Sequence, residues 1–432
     1  MREAEGKIPA GQALPRALAA YVPFYYGWIV LACLCCVGFA RQGPAVATLS
    51  IFIEPLTRDF GWSRTAVSGA VSLGGLLAVL VSPLLGPLLD RRGSRLVLCL
   101  AVLMNGVALL LLSLTPSLLI FYLLYCFARM NWAGPFDLGI YGALNNWFIA
   151  RRTAAASVVN LAQMLGLVAM PLIAQFAILH DGWRAGWLAL GAVTLLVGFV
   201  PVWLFLVRRP EDMGLQPDGA DPVIEQSGAT TAPATEPRFS RREAIRTPAF
   251  WLLMLYTVMV YPVQAGVSLH QAPHLVERGL DPTMAALIVS SFSLMSVVAT
   301  IACGFLPRRW PIRVPLALAG AMLAAGTLLM PGVVSAADGF LAAGLFGVGI
   351  GAVLTLVPVA WADYFGRTNY GAIRGLALSA QVLAQAAGPL LSGILYDLTG
   401  TYTISLQCFA ALSVLSIVAA LAARQPSGSF KL

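Results

Sequence analysis

The chain alternates between long apolar stretches and short polar connections over most of its length. A helix needs about 20 largely apolar residues to cross a bilayer, and twelve stretches satisfy this requirement. They lie near residues 25–53, 65–89, 95–114, 117–143, 153–179, 185–207, 248–270, 282–305, 313–332, 336–362, 375–396 and 402–423. The pattern predicts an all-α integral membrane protein with twelve transmembrane helices.

These stretches form two sets of six, separated by a polar segment. Residues 208–247 include PEDMGLQPDGADP and SGATTAPATEP, and such Pro-, Gly- and Thr-containing sequence is typical of a mobile linker. We therefore expect a six-helix bundle over residues 1–207, a cytoplasmic linker over 208–247 and a second six-helix bundle over 248–432.

Arginine placement predicts the orientation. With the N-terminus in the cytoplasm, most of the 27 Arg and Lys residues fall in the inner segments. The outer segments then hold only Arg58, Arg64, Arg184 and Arg278. Cytoplasmic loops carry an excess of basic residues, so both termini are expected in the cytoplasm.

Composition excludes several classes of protein. Only 11% of the residues are charged and the mean hydropathy is +0.82, whereas soluble domains carry roughly 25% charged residues. The net charge of +8 therefore reflects membrane orientation, and we expect no nucleic-acid partner. The lone Gly6-Lys7 pair lacks the Ser or Thr of a phosphate loop. We expect no enzyme, cofactor or metal site, since carboxylates and histidines do not cluster in the sequence.

The two halves share spacings that indicate an internal repeat. Gly61 precedes Gly86 by 25 residues, as Gly279 precedes Gly304, and basic pairs follow at 91–92 and 308–309. Gln163 precedes Pro171 by eight residues, as Gln381 precedes Pro389. Two related bundles place a solute site between them near mid-membrane, exposed to each side in turn. This pattern predicts a secondary transporter.

A loop after the second predicted span carries a recognisable motif. Residues 86–95 read Gly-Pro-Leu-Leu-Asp-Arg-Arg-Gly-Ser-Arg, which resembles the signature Gly-x-x-x-Asp-Arg-x-Gly-x-Arg of the major facilitator superfamily. Its carboxylate and arginines can latch helix ends through charge-assisted hydrogen bonds, although a generic basic loop is the alternative. The candidate latch residues are Gly86, Asp90, Arg91, Arg92, Gly93 and Arg95.

Further segments narrow the resemblance. Residues 26–28 (Tyr-Gly-Trp), 60–64 (Phe-Gly-Trp-Ser-Arg), 182–184 (Gly-Trp-Arg) and 209–219 are similar to those of bacterial members of the monocarboxylate transporter and oxalate:formate antiporter group. The resemblance implies a major facilitator fold in a bacterial inner membrane. It also implies a small organic anion as substrate, moved with a proton or by exchange.

One departure keeps a second function open. The group typically uses a basic residue in the eighth span, but residues 282–305 contain no Arg, Lys, Asp or Glu, and the eleventh span lacks the lysine of oxalate exchangers. An exporter of neutral or amphipathic compounds is therefore the alternative. A membrane sensor is a third possibility, and we expect a monomer.

Charged residues inside spans are the first site candidates, because burying a charge in the bilayer is costly. Arg41 and Arg129 favour an anionic ligand, since guanidinium binds carboxylate bidentately. The alternatives are that Arg41 extends to the outer interface and that Arg129 pairs with Asp137 or a helix end. Asp137 and His270 are candidates for proton coupling. Asp137 can equally be an ionised partner, and His270 with His274 can form an interface pair.

Polar uncharged residues in the spans are the remaining candidates. They bind solute or bond between helices, and the sequence leaves both readings open. The substrate-binding set is completed by Asn131, Gln163, Tyr261, Gln264 and Gln381.

Overall fold

The computed structural model describes residues 13–219, 237–307 and 310–426, which contain helices and no strand. The α-helices are α1 (Ala13–Tyr21), α2 (Gly27–Ala40), α3 (Val46–Phe60), α4 (Arg64–Arg92), α5 (Ser94–Leu112), α6 (Leu118–Ala133), α7 (Pro135–Trp147), α8 (Arg152–Val193), α9 (Val200–Phe205), α10 (Arg241–Ile245), α11 (Pro248–Glu277), α12 (Pro282–Gly304), α13 (Arg313–Leu329), α14 (Ala336–Phe365), α15 (Tyr370–Thr399) and α16 (Thr403–Ala422).

All twelve predicted spans are present. Within the described ranges, nine helical segments are long and apolar enough to cross a membrane. One of them, Arg152–Phe205, is 54 residues long and bends at Asp181 and Gly182, where the backbone leaves the helical region. It therefore accounts for two predicted spans. Two further spans are each broken into a pair of shorter helices, α2 with α3 and α6 with α7.

The first predicted span consists of two helices separated by a break. α2 ends at Ala40 and α3 begins at Val46, on either side of Gly43 and Pro44. Proline lacks the backbone N–H that a continuous helix needs. The carbonyl oxygen of Pro44 itself, which lies between α2 and α3, accepts a hydrogen bond from the Tyr125 hydroxyl at 3.0 Å. A side chain thus satisfies a backbone group that water cannot reach.

The fourth span contains a break that was not predicted. Gly134 adopts φ −111° and ψ −83°, and α7 starts at Pro135. Asp137 therefore lies in the first turn of a new helix, not eight residues along a continuous one. The N-terminus of a helix favours a negative charge, so this position suits a carboxylate.

The described residues pack as two compact units. The first takes its residues from 1–74, 88–155 and 162–235, and the second from 75–87, 156–161 and 236–432. In the second unit, the backbone of α4 at Gly86 lies so close to Gly371 that no Cβ would fit. The Ser379 hydroxyl also donates to the Val79 carbonyl at 2.7 Å. The units follow packing rather than chain order, and the predicted bundle boundaries remain a prediction.

The linker is attached at both of its described ends. The carboxylate of Asp218 accepts hydrogen bonds from the backbone N–H groups of Ile149, Ala150 and Arg151 at 2.8, 2.6 and 3.1 Å. Asn369 donates to the Phe239 carbonyl at 2.8 Å. The composition predicted mobility over the whole linker, whereas these ends are held against the two units. Residues 220–236 and the basic pair 308–309 lie outside the described residues.

Candidate anion-binding site

The break in the first span positions Arg41, which caps the C-terminus of α2. Its Nη1 donates to Gln163 Oε1 on α8 at 2.9 Å and lies 3.7 Å from Asp137 Oδ1 on α7. Arg41 is only 6% exposed. Its side chain therefore points into the first unit, and the alternative in which it extends to the outer interface is wrong.

Arg129 shares an aromatic ring with Arg41. The guanidinium carbon of Arg129 lies 3.9 Å from the centroid of the Trp132 ring, and that of Arg41 lies 4.6 Å from the same centroid. Trp132 Nε1 donates to Gln42 Oε1 at 3.2 Å, which fixes the indole. An aromatic face attracts cations, most strongly when water is excluded. The indole thus holds two positive charges close together.

We call these six residues the arginine–indole cluster: Arg41, Gln42, Arg129, Trp132, Asp137 and Gln163. Trp132 and Gln42 were not among the predicted site residues. Trp132 lies three residues after Arg129 and therefore on the same helix face, a signal that could have identified it. Gln42 lies between the end of α2 and the break at Gly43 and Pro44, and no spacing in the sequence connects it with Trp132.

Arg129 differs from Arg41 in its hydrogen bonding. Its Nε and Nη1 atoms are buried and have no hydrogen-bond partner among the described residues. Asp137, which the sequence offered as an alternative partner of Arg129, lies within ion-pair distance of Arg41. Gly74 of α4 permits this packing, because a Cβ there would lie 2.6 Å from Arg129 Cβ. Arg129 thus presents donors to a group that the described residues do not supply.

The arginine–indole cluster carries one more positive than negative charge, from two guanidinium groups and one carboxylate. A charge in a medium of low dielectric constant is costly unless it is paired. A small anion could accept two parallel hydrogen bonds from one guanidinium. The geometry is therefore suited to one bound anion.

The other predicted residue of this unit has a structural role. Asn131 is 3% exposed, and its amide donates to the Phe127 carbonyl of its own helix at 3.3 Å. Its hydrogen bond supports α6 and not the arginine–indole cluster.

In the second unit, the predicted glutamines lie in a separate polar group. Gln381 Oε1 accepts from Arg374 Nη2 at 2.6 Å, and Gln385 donates to Gln264 at 2.9 Å. Arg374 is completely buried. Tyr261 is 2% exposed.

The two predicted histidines are not hydrogen-bonded to each other. His270 Nε2 lies 3.3 Å from the Pro389 carbonyl, and its ring centroid is 5.1 Å from that of Tyr402. His274 is 1% exposed, with Nε2 3.0 Å from the Met330 carbonyl. Each ring lies near a different backbone carbonyl, and both lie against Tyr402, whose ring centroid is 6.3 Å from that of His274.

The candidate latch residues hold helix ends within the first unit. Arg95 donates to the Trp203 carbonyl at 2.9 Å, and Arg208 donates to the Asp90 carbonyl at 3.1 Å. Gly93 has φ +85°, and the Arg208 side chain fills the space that a Cβ would need. Arg91 and Arg92 are exposed. A conformational role for this loop remains a prediction.

Comparison with known proteins identifies the family. The sequence pattern of the Major Facilitator Superfamily matches residues 30–343 and 277–429. The chain is 26% identical to monocarboxylate transporter 11 of Mus musculus, over 88% of this chain and 83% of that protein. It is 27% identical to the membrane sensor protein UhpC of Escherichia coli (strain K12), over 71% of this chain and 72% of that protein.

Solved structures support the same fold. The proton:xylose symporter XylE, bound to 6-bromo-6-deoxy-D-glucose, superposes with a TM-score of 0.69 at 14% identity, covering 91% of this chain and 95% of XylE. The transporter FucP, in its outward conformation, gives 0.68 at 11% identity, covering 92% and 99%. The predicted fold class is confirmed. The chain is a multi-pass membrane protein that belongs to the Major Facilitator Superfamily.

Proposed function

We propose that the chain is a secondary active transporter for a small organic anion of the monocarboxylate type. The observation that carries this proposal is the state of Arg129, whose Nε and Nη1 are buried without a hydrogen-bond partner among the described residues. Its relatives include proteins named monocarboxylate transporters. Alternating access is part of the proposal.

A carboxylate would satisfy Arg129 in a way that a neutral solute would not. Hydrogen bonds to charged groups contribute about 1.5–3 kcal/mol each, and a buried donor without a partner loses about as much. A carboxylate has two oxygens with the spacing of the guanidinium N–H groups. The free energy gained by pairing is therefore available for substrate binding.

Coupling to protons, or exchange of one anion for another, is assigned to Asp137. His270 is proposed as a proton-accepting group of the second unit, and Gln264, Gln381 and Tyr261 as its solute contacts.

The membrane setting belongs to the same proposal. The arginine distribution supports cytoplasmic termini, and the bacterial relatives named UhpC support a bacterial inner membrane.

Uptake into proteoliposomes tests the function. Labelled lactate, pyruvate, oxalate and 2-hydroxyisobutyrate would be offered with and without an inside-alkaline pH gradient. We expect gradient-driven uptake of lactate, pyruvate and 2-hydroxyisobutyrate by the wild type, loss of this uptake in Arg129→Gln and partial recovery in Arg129→Lys. Arg184→Gln is the matched control, since Arg184 is exposed and lies 4.2 Å from the Trp183 ring centroid. We expect it to transport normally.

Three outcomes would overturn the proposal. Folded protein that takes up none of these carboxylates would favour export of neutral compounds, which the uncharged α12 allows. Binding without flux would favour a sensor. Equal uptake by the wild type and Arg129→Gln would remove Arg129 from the site.

A further inference from the structure

The arginine–indole cluster contains its own anion. Asp137 lies 3.7 Å from Arg41, and both side chains are almost fully buried. Arg129 lies on the same indole as Arg41, so the cluster contains two cations and one carboxylate. With Asp137 ionised, the net charge of these three side chains is +1.

This net charge limits the anion that the cluster can neutralise. Electrostatic interactions strengthen as the local dielectric constant falls. A substrate with one negative charge brings the sum to zero. A substrate with two negative charges leaves one uncompensated, next to a carboxylate of the same sign.

We propose that Asp137 determines the charge number of the transported anion, as a specificity-determining residue that excludes dianions. The inference rests on the proposed function. Asp137 acts by holding one of two available cations, so that only Arg129 is left for the substrate.

The surrounding contacts keep Arg41 in place when Asp137 loses its charge. Gln163 Oε1 still accepts from Arg41 Nη1, and the Trp132 ring still faces its guanidinium group. Asp137→Asn therefore raises the net charge of the three side chains from +1 to +2, which suits a dianion.

The experiment compares transport of a monoanion and a dianion at neutral pH. Initial rates of lactate and oxalate uptake would be measured in proteoliposomes, and the ratio of kcat/KM for oxalate to that for lactate calculated. We expect the wild type to favour lactate and Asp137→Asn to raise the ratio at least tenfold. Equilibrium binding of both anions, followed by tryptophan fluorescence in detergent, gives the same ratio for a variant that binds but turns over slowly.

Two further variants isolate the effect of charge. Asp59→Asn is the matched control, because Asp59 lies 3.6 Å from Arg184 and accepts from Trp183 Nε1 at 2.6 Å in an exposed cluster. We expect its ratio to equal that of the wild type. Gln42→Glu keeps an acceptor for Trp132 and adds a negative charge. We expect it to weaken binding of both anions.

The outcomes separate this inference from the proposed function. A wild type that moves lactate, together with an Asp137→Asn ratio that does not change, overturns the role of Asp137 alone. A wild type that prefers oxalate overturns it as well. A wild type that neither binds nor moves any carboxylate overturns the proposed function itself.

Discussion

Replacing Arg41 should lower the stability of the protein, whereas replacing Arg129 should leave the stability unchanged or raise it, although both arginines lie on the same indole. We consider Arg41→Met and Arg129→Met, which keep an unbranched side chain and remove the charge. Arg41 is bonded to Gln163 and paired with Asp137. Arg129 has two buried nitrogens without a hydrogen-bond partner among the described residues. The first substitution removes a hydrogen bond and an ion pair together with one unsatisfied donor, Nε, whereas the second removes two unsatisfied donors.

The magnitudes follow from these contacts. Arg41→Met leaves the buried Asp137 without its ion-pair partner, which costs about 3–5 kcal/mol. Arg129→Met relieves two buried donors at about 1–3 kcal/mol each and loses a cation–π contact of about 2 kcal/mol. The free energy of unfolding of Arg129→Met should therefore lie at, or up to about 4 kcal/mol above, that of the wild type.

Thermal unfolding in detergent measures this difference. Cys33, Cys99, Cys126 and Cys303 are buried whereas Cys408 is exposed, so labelling by a thiol-reactive dye reports unfolding when all variants are made in a Cys408→Ser background. We expect Arg41→Met to unfold at a lower temperature than the wild type, and Arg129→Met at an equal or higher one. Arg184→Met, an exposed pair, should change little.

A substrate anion should raise the unfolding temperature of the wild type but not that of Arg129→Met. Equal destabilisation by the Arg41 and Arg129 substitutions would refute the reasoning, because it would mean that Arg129 is already satisfied in the substrate-free protein.

Three further substitutions test other parts of the structure. Trp132→Leu should raise KM for the anion at least tenfold and Trp132→Phe less, measured by uptake, since phenylalanine keeps an aromatic face; equal effects would contradict this. Asp218→Ala removes the acceptor for the backbone of residues 149–151 and should speed proteolysis of the linker; unchanged cleavage would contradict the attachment. Gly166→Ala should lower the unfolding temperature, because its Cβ would meet the backbone of a neighbouring helix, whereas Gly75 faces open space and Gly75→Ala should raise the free energy of unfolding by about 1 kcal/mol. Equal effects of the two substitutions would contradict the close approach at Gly166.

The spans could be predicted because hydrophobicity in a membrane protein is almost a direct record of what lies in lipid. The break in the first span was also predictable, since Gly43-Pro44 removes a helical hydrogen bond. Gly134-Pro135 carries the same dipeptide, but the apolar run continues through it, so the pattern of hydrophobic residues does not show the break. Because of this break, Asp137 lies in the first turn of α7 and not within a helix continuous with Arg129.

The candidate site was predictable in part. Arg41, Arg129 and Asp137 stand out because charges are rare in spans. Which arginine pairs with the carboxylate depends on helix rotation and on two breaks, and no sequence spacing records this. Trp132 was missed because tryptophan is common in membrane proteins for other reasons.

The internal repeat shows which part of the site the two halves share. Gln163 and Gln381 occupy matched positions, and each accepts a hydrogen bond from an arginine, at 2.9 and 2.6 Å. The arginines differ in origin, because Arg41 comes from another helix whereas Arg374 lies on the same helix as its glutamine. The repeat therefore conserves an amide acceptor, and each half supplies its cation separately. A prediction from the repeat finds the amides and misses Arg374.

The arrangement of the two arginines links stability to binding. A chain that neutralised both would be more stable, since the buried Nε and Nη1 donors of Arg129 would then be satisfied. It would then have no free energy left to attract an anion, because a ligand gains only from groups that are unsatisfied in its absence. Arg41, with Asp137 and Gln163, joins helices of the first unit, while the cost at Arg129 is limited by the Trp132 ring. The indole thus allows an incompletely paired cation to exist in the membrane, and under the proposed function that cation provides the affinity for the anion.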